Sequence, residues 1–186
     1  MPKKIVQKDE KVLRKEAKEI PIHEIKTAKI QKILHEMSLA LKSQSDGVAI
    51  AAPQIGYSLK IFVVSGKVFD PNFLQGKIIQ EPQLNSLQTS EIEKKVKDMI
   101  FINPVISKLS REKVWVPEGC LSVRWLYGMT HRSKKATITA YDENGKKFTR
   151  GASGLLAQIF QHETEHLNGI LFIDHAKNIK EEKPIK

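Results

Sequence analysis

Two histidines four residues apart, His162 and His166, bracket two carboxylates in the stretch Gln161-His162-Glu163-Thr164-Glu165-His166. On a helix that spacing puts both imidazoles on one face, where they can ligate a single metal ion. Glu163 is rotated about 100° from His162 around the axis. Its carboxylate therefore stands beside the ion instead of on it, and can carry protons to and from the water the ion activates. The chemistry open to this pattern is hydrolysis.

The same pattern also occurs on solvated helical turns, which is the alternative reading. The neighbours argue against it, because Leu155, Leu156, Ile159, Phe160, Leu167 and Ile170 leave little polar face for water. Buried imidazoles and carboxylates without partners cost several kcal/mol each, and a cation satisfies them together.

A hydrolytic site needs three protein ligands and one open position. The metzincin peptidase pattern fails, since Phe172 stands where its third histidine belongs. Thermolysin-like peptidases carry a glutamate about twenty residues further on, where this chain has Lys186; Glu181 and Glu182 fall in a tail expected to fray. The remaining soft donor is Cys120, in Pro117-Glu118-Gly119-Cys120-Leu121-Ser122. A lone cysteine is commonly an inert core residue, but two histidines in want of a soft partner favour it as a thiolate ligand.

The elements that must position these residues can be read in chain order. Residues 1–21 read as an irregular arm ending at Pro21, with 1–8 flexible. Ile25, Ile30, Ile33, Leu34, Met37 and Leu41 predict an amphipathic helix over 23–42. The small residues of 47–56 allow close approach of backbone or ligand. Strands are predicted over 60–64, over 99–106 with a break at Asn103-Pro104, and over 113–116. Residues 66–98 form a long excursion with a short helix near 90–95. Alternation over 135–141, a turn at Asp142-Glu143-Asn144-Gly145 and a return over 147–150 predict a hairpin. Ser153 is the expected cap of the helix that begins at Leu155 and carries the histidines, Gly169 its stop, and residues 175–186 are expected to be flexible.

A chain of 186 residues, 40% hydrophobic and 28% charged, fits one globular catalytic domain. Its single cysteine excludes an intrachain disulfide. No apolar run reaches membrane length, and the N-terminus lacks the apolar core of a signal peptide, so a cytoplasmic location is expected. The net charge of +10 invites a polyanion such as nucleic acid or the ribosome. The lysines, however, are dispersed, usually near Glu or Asp, and no stacking aromatics interleave with them, which favours a solvated basic surface over a nucleic-acid motif.

Three stretches in order, Gly47-Val48-Ala49-Ile50-Ala51-Ala52-Pro53-Gln54, Glu118-Gly119-Cys120-Leu121-Ser122 and Gln161-His162-Glu163-Thr164-Glu165-His166, resemble the signature motifs of peptide deformylase. The resemblance runs from about Asp9 to Asp174. It implies an α+β fold with antiparallel β-sheets packed around a central metal-binding helix, and removal of the N-formyl group from the initiator methionine of nascent bacterial or organellar polypeptides. It implies one divalent metal ion, Fe²⁺ natively, with Zn²⁺, Ni²⁺ or Co²⁺ able to replace it. Carried over by motif, the metal ligands are Cys120, His162 and His166, and Glu163 is the general acid/base. Gln54 and the backbone N–H of Leu121 hold the oxyanion, and Gly47, Val48, Ala49, Gly119 and Arg132 border the N-formylmethionyl substrate. The chain departs from the family at Ala49, where a second glycine is usual and the added methyl would crowd the substrate backbone. It departs again at Glu165, one methylene longer than the usual aspartate and with Arg132 its expected partner, and in Val123-Arg124-Trp125-Leu126-Tyr127-Gly128-Met129. A metallopeptidase and a catalytically weak paralogue that binds nascent chains or ribosomes are the alternative functions.

Overall fold

The structure is a computed structural model that describes residues 1–69 and 97–183. The long excursion and its short helix fall almost wholly outside the described residues; within them, Gly66–Phe69 is a single 3-10 turn. Two antiparallel sheets carry the fold. The larger has five strands in the order β1 (Ala49–Ala51), β2 (Ile61–Val64), β3 (Met99–Leu109), β6 (Lys135–Tyr141) and β7 (Lys147–Ser153). The smaller has three, β4 (Lys113–Gly119), β5 (Leu126–Ser133) and β8 (Lys177–Glu181). Among the described residues the two α-helices are α1 (Ala28–Lys42) and, numbered in order, α2 (Gly154–Leu167). The α+β architecture expected from the sequence is the one observed.

Strand β2 shows how the layers arise. All four of its residues are buried because alternate side chains serve opposite faces. Ile61 and Val63 pack with Ile30, Ile33, Leu34 and Met37 of α1. Phe62 and Val64 pack with Ala157, Ile159 and Phe160 of α2. Phe62 stacks on Phe101 at 4.5 Å between ring centroids, and Phe160 meets Phe101 edge-on at 5.2 Å. Helix α2 thus lies against the large sheet while also touching β5 of the small one. A third cluster, Leu13, Val123, Leu171 and Phe172, fills the space beneath the small sheet.

Several boundaries differ from the sequence reading, each for a local reason. Helix α1 starts at Ala28, since Thr27 Oγ1 accepts from Ile30 N–H and Ile22–Glu24 forms a separate 3-10 turn. Strand β3 runs through Asn103-Pro104 as a bulge: Asn103 adopts φ 48°, and its amide brackets Ile20, accepting from Ile20 N–H at 2.9 Å and donating to Ile20 O at 2.7 Å. Strands β4 and β7 extend to Gly119 and Ser153. Ser153 holds the N-cap position of α2, but its side chain makes no capping bond. The arm contains a 3-10 turn over Lys11–Arg14 that buries Leu13, and the expected fraying after Asp174 gives way to β8, which pairs with β5.

Helix α2 ends as the sequence indicates. Gly169 sits at φ 73°, Gly169 N–H bonds His166 O at 3.2 Å, and Ile170 N–H bonds Glu165 O at 3.0 Å. A Cβ on Gly169 would stand 2.8 Å from the Arg14 carbonyl carbon. Gly56, at φ 89°, has nothing within 4 Å of the same position. Gly56→Ala is therefore expected to cost about 1 kcal/mol from conformation alone, and Gly169→Ala about 2 kcal/mol more because backbone must move. Urea denaturation of both variants checks this; equal losses would show that the arm yields to the methyl freely.

Candidate metal centre

The apolar face of α2 is fixed by the large sheet, which turns its other side toward β4 and β5. On that side His162 and His166 lie one turn apart with ring centroids 4.8 Å from each other. Cys120, in the turn after β4, brings Sγ to 3.2 Å from His166 Nε2. One ligand atom from each of Cys120, His162 and His166 lies within 4.8 Å of the others, so this group can hold a metal ion. Two further observations fit an ion there. Glu163 Oε2, in the wall of the same cavity, is buried without a hydrogen-bond partner among the described residues. The donor set of one thiolate and two imidazoles is the soft-to-intermediate kind that transition metals prefer. Phe172, the residue that breaks the metzincin pattern, stacks against His162 at 6.3 Å.

Glu118 orients the first histidine. Its Oε1 lies 2.5 Å from His162 Nδ1. Burial opposes ionisation of Glu118, but hydrogen bonds from His162 and Arg132 overcome it and hold the carboxylate well below its ordinary range. An ionised carboxylate only accepts, so Nδ1 donates to it and Nε2 is the nitrogen left to face a metal, which would take the place of a proton there. Glu118 in turn accepts from Thr130 Oγ1 at 2.6 Å and from Arg132 Nε and Nη2 at 3.0 and 2.6 Å. Arg132 also grips Glu165 through Nη1 at 2.5 Å and Nη2 at 2.7 Å, and His175 Nε2 lies 3.0 Å from Glu165 Oε2. Gln161 ties the helix to the end of β5, accepting from Ser133 N–H at 2.9 Å and donating to Ser133 O at 3.0 Å.

The other titrating groups respond to burial. Burial pushes the Glu163 carboxyl up to about 7, against the pull of neighbouring His162. Burial, helped by His162, holds His166 well below the ordinary histidine range. His162 itself lies well above that range, because hydrogen bonds to Cys120 and Glu118 outweigh the opposing cost of burial.

Gln54 faces the same centre. Its Oε1 accepts from Ala51 N–H at 2.8 Å, which fixes the amide so that Nε2 donates to buried Ser122 Oγ at 3.2 Å and lies 3.5 Å from Cys120 Sγ. Ser122 N–H also reaches Cys120 Sγ, at 3.4 Å. A cavity of about 320 Å³ opens beside these groups and is bordered by Gly47, Val48, Ala49, Gln54, Gly119, Cys120, Leu121, His162 and Glu163. Gly119 carries no side chain for a steric reason: a Cβ there would stand 2.6 Å from the ring of its cross-strand partner Tyr127.

Two expectations change. Arg132 does not border the cavity; it is 4% exposed behind the histidines, held between Glu118 and Glu165. The methyl of Ala49 packs with the cluster that includes Ile159 and Phe160. Sequence reasoning gave Glu118 no role, although an acid two residues before a candidate ligand, on the strand face opposite the exposed one, is the signal it could have used.

Fold and centre together describe an α+β protein with a metal-capable Cys-His-His group. The family model described as polypeptide deformylase matches residues 2–182, and the chain belongs to that family. It is 34% identical over 170 residues to peptide deformylase 1A, chloroplastic/mitochondrial, of Arabidopsis thaliana, covering 91% of this chain and 60% of that protein. It is 36% identical over 178 residues to the peptide deformylase of Symbiobacterium thermophilum, covering 95% of this chain and 67% of that one. The chain thus spans about three fifths of the length of the plant relatives it matches, 60% and 58%. Among solved structures, a Met-Ala-Ser-bound class I type b peptide deformylase from Acinetobacter baumannii is 26% identical with a TM-score of 0.76, covering 94% of this chain and 98% of that one.

Glu118→Gln removes the charge that orders His162 and neutralises Arg132. It is expected to weaken zinc binding about 10-fold to 100-fold, measured by competition with a chromophoric chelator. Unchanged affinity would show that His162 is oriented by its packing alone.

Proposed function

We propose that this protein removes the N-formyl group from the formylmethionine that begins newly made polypeptides, releasing formate. The observation that carries this reading is the convergence of Cys120, His162 and His166 beside buried Glu163 in a chain of the deformylase family. Cys120 Sγ and one nitrogen from each histidine would hold a divalent ion, Fe²⁺ by preference, with Zn²⁺, Ni²⁺ or Co²⁺ as substitutes. Bound there, such an ion supplies Lewis acidity that polarises a carbonyl and activates water.

The chain's own groups account for the rest. Glu163, buried and pushed up to about 7, can exchange a proton near neutrality. It takes a proton from the attacking water and gives one to the departing amine. The Gln54 amide, its oxygen already engaged by Ala51 N–H, offers Nε2 to the oxygen that gains charge, with the backbone N–H of Leu121 as the second donor. Gly47 to Ala49 on one side and Gly119 on the other leave room for an extended peptide backbone between them. The Met-Ala-Ser peptide bound by the Acinetobacter relative supports a peptide in this cleft. Bacterial and chloroplastic/mitochondrial relatives support a bacterial cytoplasm or an organellar matrix as the place of action, where formylmethionyl peptides emerge from ribosomes.

Metal-loaded protein given formylated, acetylated and unblocked versions of one methionyl peptide is expected to release formate from the first and to leave the other two intact. Internal fragments would instead indicate a peptidase, and three intact peptides at full metal occupancy a binding protein. Cys120→Ala is expected to lose both metal and activity. Glu163→Gln should keep its metal and fold while turnover falls roughly 100-fold or more; metal loss in that variant would make Glu163 a ligand.

A further inference from the structure

The two groups proposed to hold the oxyanion come from parts of the fold that no strand pairing joins. Gln54 lies in the 3-10 turn that follows β1 of the large sheet, and Leu121 in the turn that follows β4 of the small one. Their separation is therefore set by side chains. Gln54 reaches the second turn directly through Ser122 Oγ at 3.2 Å and Cys120 Sγ at 3.5 Å. Further polar connections run through the N-terminal arm and Arg124, neither of which the reaction itself uses.

Val6 N–H donates to Gln54 O at 2.9 Å. The side chain of the next residue reaches the other turn: Gln7 Nε2 donates to Leu121 O at 3.1 Å, and Gln7 Oε1 accepts from Arg124 N–H at 3.3 Å. The Arg124 guanidinium then spans the end of the cleft. Its Nη1 reaches Asp46 Oδ2 at 2.5 Å, and its Nη2 reaches Asp46 Oδ1 at 3.1 Å and Gln44 Oε1 at 2.9 Å, in the loop that leads through Gly47 into β1. The indole of Trp125 lies 4.8 Å from the guanidinium carbon. These ties fall where the cleft walls converge, since a Cβ on Gly47 would stand 3.3 Å from Leu121 Cδ1.

Magnitudes separate a structural role from a positioning one. The Arg124 side chain is 19% exposed and Asp46 53%, so their pairing adds little to the stability of the fold. An oxyanion site is far less forgiving, because donors must lie within roughly 0.5 Å of the position the charged oxygen takes. We propose that Gln7 and Arg124 are positioning residues that hold the Leu121 turn against the Gln54 wall and so set the spacing of the two oxyanion donors. The inference rests on the deformylase reading above.

The test joins kinetics on a formyl-methionyl peptide with ¹H–¹⁵N spectra of zinc-loaded protein. Gln7→Ala and Arg124→Ala are each expected to lower kcat about 10-fold with KM within about 2-fold, and the double variant to lose more than either. Zinc stoichiometry should stay at one, and the signals of the Leu121 amide and the Gln54 side-chain amide should shift. Arg124→Lys, which keeps the charge but loses the planar fork, should recover part of the loss. A raised KM at unchanged kcat would overturn the proposal by placing Arg124 on the substrate. Unmoved Leu121 and Gln54 signals would overturn it whatever the kinetics. Should the wild-type protein release no formate, the functional reading fails, while the spectra still decide whether the two residues position the turn.

Discussion

Arg132, 4% exposed with a carboxylate on either side, is the contact on which the site depends. Glu118 comes from β4, Arg132 from β5 and Glu165 from α2, so one guanidinium registers three elements at once. Charges taken out of water are costly, and such a group persists only where hydrogen bonds are nearly complete; removing one partner typically costs about 3–5 kcal/mol. Here the fork of Arg132 is filled and Glu118 takes further bonds from Thr130 and His162. The charges still do not balance. One guanidinium faces two carboxylates, and a Cys120 thiolate would add a third negative charge within the same region. A divalent cation among Cys120, His162 and His166 would offset that excess as it takes the place of the His162 proton, so the network that orders the ligands also favours an ion.

The two sheets divide the labour. Strand β2, buried on both faces, locks α1 and α2 to opposite sides of the large sheet and gives the histidine helix a rigid bed. The small sheet is thinner, with exposed residues along β4 and all of β8, and it delivers Glu118, Cys120 and Arg132 from one hairpin. The site is therefore an interface inside a single chain. Beside the packing of Leu121 into the core, polar ties join its halves: Gln161 to the end of β5, Gln54 to Ser122, Gln7 to Leu121. Amide side chains suit this work because each both donates and accepts, fixing distance and orientation together.

The parts legible in the sequence were those written in local spacing. The His162 and His166 pair, the apolar face that buries α2, the Gly169 stop and the alternating hairpin of β6 and β7 each follow from a period or a turn residue. Cys120 was reachable by elimination of other donors. The parts that stayed hidden are set by distant partners. Nothing local marks Lys177–Glu181 as a strand, since its residues are all exposed and its pairing comes from the open edge of β5. Nothing near Asn103 reveals that its amide will stand in for a strand partner of Ile20. Arg132 read both as a substrate contact and as the partner of Glu165, and only the fold shows that it lies between Glu165 and buried Glu118, away from the cavity.

The departures from the family pattern look different once their surroundings are known. In sequence, Ala49 places a methyl where a substrate backbone would pass. On β1, however, Ala49 pairs with Val64 and Ala51 with Phe62, and all four side chains belong to the cluster that meets α2. Ala49 thus belongs to the packed cluster even though it also borders the cavity. Glu165 behaves similarly: its longer arm still grips Arg132 with both oxygens and also reaches His175. Both changes lie on the side of α2 and β1 that faces packed side chains, where a methyl or methylene can be absorbed by neighbours. Arg124 and Trp125 lie in the cavity wall as Ala49 does, but with far larger side chains. If this chain differs from its relatives in what it accepts, the difference belongs to the Arg124-Trp125 turn before it belongs to Ala49 or Glu165.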